Sequence, residues 1–409
     1  MPMPVSTQVE VDLDRFARNL RAIRAHVGSG RETLLVAKAD AYGHGAREMA
    51  AEAEAEGVSY LGVATLHEGL QLRMAGCHLP LVCLSPLLAA EIDTAVEYAI
   101  EPTVADVAFA RALSESAQRQ RRPLRFHVEI DTGMGRIGVR EDGAEAFVAE
   151  VAGLPGLRLA SLYTHFPDAD ATDLSFSLGQ VARFEALLAK LAQRGLRPPR
   201  VHASNSAGTV NLPEARLDLV RLGLIAYGVH PPRDAAHLAL APVMSLRSRL
   251  VQVRDLPAGV PISYGRTFVT PRPSRIGVVP IGYGHGYSWL LSNRGQMLVR
   301  GRRAPIVGRV TMDLTMIDLT DVPGVEAGDE VVLFGEQDGA ALRVEEVAAW
   351  SETLAYEIMC TIGKRVARLY RSNGRAVSVT TLVGERPEWT AAADDYLRLR
   401  EFAAASRTS

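Results

Sequence analysis

The sequence predicts a (β/α)8 barrel followed by a mostly β domain, and three observations support this α/β fold class. Eight short apolar runs alternate with helical patterns between residues 34 and 228, which is typical of a parallel sheet with helices outside it. Beyond residue 237, strand-like runs follow one another with Gly, Pro and Asp between them. Polar side chains follow the ends of several apolar runs, where barrel enzymes carry their active sites.

The predicted barrel strands are apolar runs bounded by turn residues or helical patterns. They lie at 34–39, 60–65, 79–85, 100–104, 124–131, 159–166, 200–205 and 219–228. Between them, GAREMAAEAEAEG predicts a helix that ends at Gly57 and places four residues on one face, namely Ala46, Met49, Ala50 and Ala53. A longer helical pattern, LSFSLGQVARFEALLAKLAQRG, ends at Gly195.

The pattern changes after VHPPRD at 229–234. Runs such as RIGVVPIGYG and DEVVLFG predict successive strands, and a helical pattern returns only near Val344. We therefore predict a barrel domain over 12–236 and a β domain over 237–375. Residues 376–409 are predicted to form a tail with a helix.

Composition narrows the class of protein. The 409 residues suffice for two domains, and 47% hydrophobic with 22% charged residues is ordinary for a globular enzyme. A net charge of −2 argues against nucleic acid or an anionic membrane as partner. Three cysteines without a C-x-x-C pair, and a start without a signal pattern, predict a cytoplasmic protein. We predict neither a membrane span nor a metal site.

Several polar residues fall at the predicted carboxyl ends of the barrel strands. They are Lys38, the Asp131 to Arg136 segment, His165, Asn205, Ser206, Arg221 and Gly223. Each has an ordinary interpretation, since Asn205 can cap a helix, His165 can be a core histidine and Arg136 can face solvent. Their common position on one rim nevertheless predicts an active site.

The residue types at this rim favour pyridoxal phosphate as cofactor. A partly desolvated lysine such as Lys38 can lose its proton near neutral pH and form a Schiff base with an aldehyde. The phosphate of such a cofactor needs a binding site. Ser206 offers a hydroxyl at a helix start, Gly223 permits close backbone approach, and Tyr42 adds a second hydroxyl.

The motifs at these positions resemble those of alanine racemase, a family of pyridoxal phosphate enzymes. VAKADAYGHG resembles the cofactor-lysine motif, and DTGMGRIG, HASNSAG, VRLGLIAYG, SYGRTF, GRVTMD and YEIMC follow in the family's order. The resemblance runs from about Val9 to Tyr370. It implies a barrel followed by a β domain, with an N-terminal strand within residues 1–11 joined to the β domain. It also implies a homodimer whose active sites each take residues from the partner's β domain, and a small amino acid as substrate.

The resemblance also implies residue roles. Lys38 would bind the cofactor and act as one catalytic base, and Tyr264 of the other subunit would be the opposite base. Residues that resemble the phosphate site are Tyr42, Ser206, Gly223, Leu224 and Tyr356. Arg221 resembles the partner of the pyridine nitrogen, with His165 and Asn205 in support. Arg136 and the Met312 backbone resemble the clamp on the substrate carboxylate, while Tyr283 and Asp313 resemble residues at the entrance.

Two bases on opposite faces suit racemisation, because the Cα proton must leave one face and return on the other. Tyrosine ordinarily titrates near ~10, so Tyr264 needs nearby positive charge, which a chain through His165 to Arg221 would supply. Arginine does not give up its proton, so a ring nitrogen facing Arg221 remains unprotonated and the ring is a weaker electron sink. This feature separates racemases from the similar decarboxylases, whose family pattern places an acid there.

Glu129 departs from the family pattern. Many members have a carbamylated lysine there, whose negative charge holds the arginine equivalent to Arg136. We predict that Glu129 supplies this charge permanently, that activity is independent of bicarbonate, and that Glu129→Gln weakens substrate binding by roughly 1–3 kcal/mol. The segments GYGHG (282–286) and Thr311 to Asp313 also depart from the pattern and shape the entrance, which leaves the substrate range open.

The predicted function is interconversion of L-alanine and D-alanine by two-base proton transfer on a pyridoxal phosphate aldimine, which would supply D-alanine as a peptidoglycan precursor. The alternatives are a serine or broad-spectrum racemase, a decarboxylase of the same architecture, and a non-catalytic cofactor carrier. Pocket size would decide between racemases. Arg221 and Tyr264 argue against a decarboxylase, and the complete second domain argues against a carrier.

Overall fold

The computed structural model describes residues 6–234, 236–385, 389–395 and 397. The chain forms two compact units. The first, the barrel unit, comprises Phe16–Ala41 and Gly45–Ala241. The second, the β unit, comprises the chain before Phe16, the short segment Tyr42–His44, and the chain from Pro242 onward.

The barrel unit contains eight parallel strands that close into a barrel. The eight barrel strands are β2 (Glu32–Val36), β3 (Tyr60–Val63), β4 (Leu81–Cys83), β5 (Ile100–Pro102), β6 (Leu124–Asp131), β8 (Leu157–Tyr163), β9 (Arg200–His202) and β10 (Leu219–Leu222). A short additional strand, β7 (Val139–Arg140), pairs with β6 outside the ring. They pair in the orders β10-β2-β3-β4-β5 and β7-β6-β8-β9. A parallel bridge between Thr103 and His127 joins β5 to β6. The Arg221 N–H donates to the Ser204 carbonyl at 3.0 Å, which closes the ring between β9 and β10. The predicted barrel is therefore confirmed.

Helices alternate with these strands. They are α1 (Leu13–Val27), α2 (Ala46–Ala55), α3 (Leu66–Met74), α4 (Ile92–Glu97), α5 (Val107–Arg119), α6 (Glu141–Val151), α7 (Ser175–Gln193) and α8 (Ser206–Asn211), with 3-10 turns at Ala89–Glu91 and Pro213–Ala215. The helix α2 buries the four residues that its apolar pattern predicted. Several strands end before the predicted apolar runs end, because the chain there turns into the loops that carry the rim residues.

The two faces of the barrel strands have different environments. On β6, Phe126, Val128 and Ile130 pack with the surrounding helices in one apolar cluster. The alternate residues His127 and Glu129 point to the other face, as the pleat requires, and are buried in the barrel interior. The interior therefore contains buried polar groups as well as apolar ones.

The β unit is built mainly from one nine-stranded sheet. Its order is β17-β16-β19-β11-β1-β21-β22-β23, and β20 pairs with β19. The strands are β1 (Gln8–Asp12), β11 (Met244–Arg249), β16 (Gln296–Val299), β17 (Arg302–Pro305), β19 (Glu330–Gln337), β20 (Ala340–Leu342), β21 (Ala367–Ser372), β22 (Arg375–Thr381) and β23 (Gly384–Glu385). The N-terminal β1 pairs antiparallel with β11 and parallel with β21.

Smaller elements complete the β unit. They are β12 (Gln252–Leu256), β15 (Ser274–Val279) and β18 (Thr315–Asp318) in one sheet, the pair β13 (Pro261–Ile262) and β14 (Phe268–Val269), the helices α9 (Val344–Trp350) and α10 (Ala355–Cys360), and 3-10 turns at Tyr264–Arg266, Tyr283–His285 and Trp289–Leu291.

The segment predicted as a tail contains most of β22 and all of β23, and 389–395 and 397 are helical. The remainder of that segment, and residues 1–5 of the predicted N-terminal strand, lie outside the described residues. Among the described residues, no helix has both the length and the apolar character needed to span a membrane.

Candidate active site

Lys38 follows β2 after one residue, Ala37, and opens a turn with left-handed backbone geometry. The next four residues, 39–42, have φ angles between 52° and 55°, a conformation that costs L-residues roughly 1–2 kcal/mol each. Two carboxylates offset part of this cost. Glu68 accepts from the Ala39 N–H at 2.7 Å, and Asp40 accepts from the Ala46 N–H at 2.8 Å. The turn fixes the backbone immediately after the half-buried Lys38, and strain of this kind is often found at functional sites.

Arg221 is the most heavily hydrogen-bonded residue of the rim. Its guanidinium donates to His202 Nδ1 at 2.8 Å, to His165 Nδ1 at 3.2 Å, and to the carbonyl oxygens of Thr164 and Ala203 at 2.8 and 2.9 Å. Because an arginine only donates, both Nδ1 atoms must accept. Each of these histidines, if neutral, therefore carries its proton on Nε2.

His165 lies within the electrostatic influence of three cationic groups of the rim. Burial lowers the pKa of His165, and the charges of Arg221, Arg136 and Lys38 lower it further, to about 2. His165 is therefore neutral at physiological pH. Its Nδ1 accepts from Arg221, so its Nε2–H is available as a donor.

Ser206 and Asn205 lie at the start of α8. The Asn205 carboxamide oxygen accepts from the Gly208 N–H at 2.9 Å, so Asn205 is the helix cap that its ordinary interpretation suggested. The Ser206 hydroxyl accepts from the Gly223 N–H at 2.9 Å. The proton of the Ser206 hydroxyl consequently remains available to an anion, and the buried Leu224 follows in the same turn.

The DTGMGRIG loop brings Arg136 to the rim. Asp131 Oδ1 accepts from the N–H groups of Gly133 and Gly135 at 2.9 and 3.0 Å, which closes a tight turn. At Gly138, with φ of 103°, a Cβ would lie 2.8 Å from the Glu129 carbonyl oxygen. Only glycine permits this close return of the loop onto β6.

Glu129 is buried beneath this loop, with 2% of its surface exposed. The charges of Arg221 and then Arg136 both act on its carboxyl, and Tyr163 is a further neighbour that favours the charged form. Within the described chain, no direct hydrogen bond joins Glu129 to Arg136. The holding role of Glu129 therefore stays a prediction, and it requires the ionised carboxylate, which burial disfavours by raising the pKa of Glu129 to about 7.

We expect Glu129→Gln to stabilise the protein at alkaline pH. Burial raises the pKa of Glu129 to about 7, against the attraction of Arg221 and Arg136. Between its ordinary pKa of 4.5 and pH 7, the unfolded chain loses this proton while the folded chain retains it. The parent therefore loses up to roughly 3 kcal/mol of unfolding free energy across this window, at 1.36 kcal/mol per pKa unit.

Urea titrations at pH 4.5 and pH 8 check this expectation. The two proteins should have similar unfolding free energies at pH 4.5, and Glu129→Gln should be the more stable at pH 8. Glu185→Gln, on an exposed position of α7, controls for the loss of one negative charge. If the unfolding free energies of Glu129→Gln and the parent differ by the same amount at both pH values, the buried-carboxyl explanation is contradicted.

The β unit carries the other predicted site residues. Tyr42 is buried, and its ring meets that of Tyr356 edge-on, with centroids 5.5 Å apart. By contrast, Tyr264, Tyr283 and Met312 are exposed, with 73%, 48% and 53% of their surfaces accessible. These three side chains are therefore accessible on the surface of the β unit.

The two segments that depart from the family pattern pack against each other. The N–H groups of Tyr283 and Gly284 donate to the carbonyl oxygens of Thr311 and Met312 at 3.0 and 2.9 Å. A Cβ on Gly282 would lie 2.0 Å from the Thr311 oxygen, so this contact requires glycine. Nearby, Asp313 pairs with Arg365 at 2.8 Å, and His285 Nδ1 accepts from the Gly282 N–H at 3.2 Å.

Sequence analysis missed the residues behind Arg221. The ring of Tyr163 lies 5.2 Å from the Arg221 guanidinium and stacks on His202 with centroids 4.8 Å apart. Ser161 and His127 continue from His202 into the barrel. These residues could have been found from the sequence as polar residues at alternate positions of otherwise apolar strands, because such residues face the same side of the sheet.

The chain matches family models over most of its length. The model of the alanine racemase N-terminal domain covers residues 11–231, and that of the C-terminal domain covers 243–370. Alanine racemase 2 of Caldanaerobacter subterraneus subsp. tengcongensis is 42% identical over 375 residues, which is 91% of this chain and 97% of that protein.

Solved structures give the same likeness. The alanine racemase of Clostridium difficile 630 has a TM-score of 0.88 at 33% identity, over 92% of this chain and 98% of that chain. The alanine racemase from Bartonella henselae, solved with covalently bound pyridoxal phosphate, has a TM-score of 0.82 at 27% identity, over 90% of this chain and 100% of that chain.

Proposed function

Because this chain belongs to the alanine racemase family, whose members are isomerases and in general pyridoxal phosphate-dependent, we propose that it interconverts L-alanine and D-alanine with this cofactor. The observation that carries the proposal is the hydrogen bond from the buried Arg221 to His165 at the carboxyl rim of the barrel, where the charges of Arg136 and Lys38 also act on that histidine. An amine, a carboxylate-binding guanidinium and a buried guanidinium are the groups that this chemistry requires.

The donor set of the barrel unit fits the proposed cofactor. When bound, pyridoxal phosphate supplies an aldehyde that condenses with amines and a conjugated ring that accepts an electron pair. Lys38 has the amine, and the free proton of the Ser206 hydroxyl suits a phosphate oxygen. The Arg221 Nη atoms have protein acceptors, whereas no described residue accepts from its Nε–H. That donor suits a pyridine nitrogen.

In the proposed mechanism, Lys38 of one subunit and Tyr264 of its partner move the Cα proton. Lys38 Nζ removes or returns a proton on one face of the substrate, and the Tyr264 hydroxyl of the partner subunit does so on the other. The Nε2–H of His165 would donate to the Tyr264 oxygen and stabilise its deprotonated form. Arg221, which donates to His165 Nδ1, keeps that imidazole in the required tautomer.

Arg221 supports racemisation over decarboxylation. An arginine donates a hydrogen bond to an acceptor nitrogen without transferring its proton. The cofactor ring then withdraws electrons less strongly than it would beside an acidic residue that keeps the ring nitrogen protonated. Reactions that need a longer-lived carbanion are therefore disfavoured. The decarboxylase alternative is the less favoured for this reason.

We also propose that Arg136 and the Met312 backbone bind the substrate carboxylate, and that Tyr283 and Asp313 border the entrance. The Arg136 fork matches a carboxylate in shape and charge. A serine or broad-spectrum racemase is the second candidate, because the GYGHG and Thr311 to Asp313 segments depart from the family pattern at the entrance.

An α-proton exchange assay tests the function and the substrate together. Purified protein loaded with pyridoxal phosphate is incubated in deuterated water with L-alanine, D-alanine or L-serine. We expect exchange and inversion with both alanine enantiomers and slower reaction with serine. Loss of carbon dioxide, or exchange with serine alone, would reject the alanine racemase proposal.

We further propose a cytoplasmic homodimer that shares its active sites. Within the described chain no disulfide joins the three cysteines, which suits a reducing compartment. The exposure of Tyr264, Tyr283 and Met312 supports a partner subunit over this surface.

Mixing two inactive variants tests the shared site. Lys38→Ala and Tyr264→Phe subunits, exchanged at equal concentrations, should recover about one quarter of the parent activity, since half of the dimers are mixed and each mixed dimer has one intact site. A Lys38→Ala/Tyr264→Phe double variant mixed with itself is the control. Absence of recovery, after mass spectrometry verifies the exchange, would mean that each site is built within one chain.

A further inference from the structure

A continuous hydrogen-bonded chain crosses the barrel interior from Arg221 to the buried carboxylate of Glu101. We propose that Ser161, His127 and Glu101 are positioning residues for Arg221, because they hold His202 in the tautomer that accepts from the guanidinium. The effect of this chain on catalysis rests on the proposed function, whereas the proton arrangement does not.

The chain is short at every step and almost completely buried. Starting from the rim, the distances are 2.8 Å from Arg221 Nη1 to His202 Nδ1, 3.0 Å from His202 Nε2 to Ser161 Oγ, 2.7 Å from Ser161 Oγ to His127 Nδ1, and 2.9 Å from His127 Nε2 to Glu101 Oε2. Glu101, His127, Ser161, His202 and Arg221 are each no more than 4% exposed. Arg125 Nε donates to the other Glu101 oxygen at 2.8 Å, which keeps Glu101 as a carboxylate.

The two ends of the chain determine the direction of every hydrogen bond. Arg221 only donates, so His202 Nδ1 accepts and His202 Nε2–H donates to Ser161. The Ser161 hydroxyl then donates to His127 Nδ1, and His127 Nε2–H donates to the Glu101 carboxylate. All donors therefore point from the guanidinium toward the carboxylate, and each N–H or O–H group between Arg221 Nη1 and Glu101 has an acceptor.

The competing arrangement leaves a proton without an acceptor. If His127 were doubly protonated, both imidazoles would donate to Ser161. Its two hydrogen-bond partners in the described structure are His127 and His202. The Ser161 proton would then have no acceptor inside the barrel, which is unfavourable for a buried hydroxyl. The neutral arrangement satisfies every group.

The chain acts on Arg221 through the tautomer of His202. With its proton on Nδ1, His202 would direct an N–H at the Arg221 N–H groups, and the contact would become repulsive. Ser161 prevents this because it needs a donor at His202 Nε2. Stacking of His202 on Tyr163 holds the ring plane, so removal of the Ser161 hydroxyl should change the proton position before it changes the ring position. The carboxylate at the far end polarises each bond in the same sense and makes His202 a better acceptor.

Nitrogen-15 NMR of the full chain, labelled at histidine and freed of cofactor, tests the arrangement directly. In the parent protein, His127 and His202 should each show a protonated Nε2 and an unprotonated Nδ1, with assignments from His127→Gln and His202→Gln. Ser161→Ala should populate the Nδ1-protonated form of His202 in part, because Nε2–H loses its acceptor while Arg221 still disfavours a proton on Nδ1. Ser114→Ala is the matched control, because it removes a buried serine of α5 that donates to the Pro155 carbonyl at 2.6 Å; it should leave both spectra unchanged.

Kinetics of the loaded enzyme test the positioning role. Ser161→Ala should lower kcat about tenfold and change KM for alanine less than about twofold, since the lost contact orients a group beside the reacting centre. Ser161→Thr, which retains the hydroxyl, should recover most of this loss. A doubly protonated His127 in the parent, or an unchanged His202 tautomer in Ser161→Ala, would overturn the inference. So would a changed tautomer with parental kcat. If the tautomer changes as expected but the parent shows no racemisation, the proton arrangement stands and the proposed function fails.

Discussion

Lys38→Ala should abolish both cofactor attachment and racemisation. The Lys38 amine is the covalent anchor and one of the two bases in the proposed mechanism, so its removal eliminates two functions at once. The visible absorption band of protein-bound pyridoxal phosphate should be lost, and the cofactor should wash out on gel filtration. Residual racemisation should not exceed that of free pyridoxal phosphate.

The low number of lysines makes the cofactor-bound lysine easy to identify. Lys38 is one of three lysines, with Lys190 and Lys364 as the others. Borohydride reduction followed by peptide mapping therefore has few sites to distinguish. Lys190→Ala, on an exposed position of α7, is the control and should retain absorption and activity. Reduced cofactor found on Lys190 or Lys364 would reject the assignment of Lys38.

Tyr264→Phe should lower racemisation by roughly 10²- to 10⁴-fold, the usual contribution of one acid–base group. The phenyl ring preserves the shape of the side chain, so the absorption of bound cofactor should remain. Because Lys38 still serves one face of the substrate, this variant should exchange the α-proton of one alanine enantiomer much faster than that of the other. Proton NMR of each enantiomer in deuterated water measures the asymmetry.

Equal residual exchange from L-alanine and D-alanine would contradict the two-base scheme, because it would mean that one group serves both faces. Tyr98→Phe is a suitable control. Tyr98 is an exposed tyrosine of the barrel unit, outside the proposed site. Its variant should retain the parental rates for both enantiomers.

The fold class was predictable because it depends on local patterns. Apolar runs of strand length that alternate with helical patterns can pack only as a parallel sheet with helices outside it. The closed ring of β2 to β6 and β8 to β10 confirms that prediction. Lys38, Arg136, His165 and Arg221 were predictable as a group for a related reason. Carboxyl ends of parallel strands all lie on one rim, so sequence order alone places these residues together.

The sequence by itself therefore determined the barrel, the rim and the family, through patterns that are short along the chain. Only the tertiary structure determined the left-handed turn after Lys38 and the chain from Arg221 to Glu101. The pleat shows that His127 and Ser161 face inward, but their hydrogen bond exists because β6 and β8 are neighbours in the closed sheet. A hydrogen bond needs partners within about 3 Å. Strand order and register determine whether two side chains come within hydrogen-bonding distance. Many weak long-range contacts together decide that order and register.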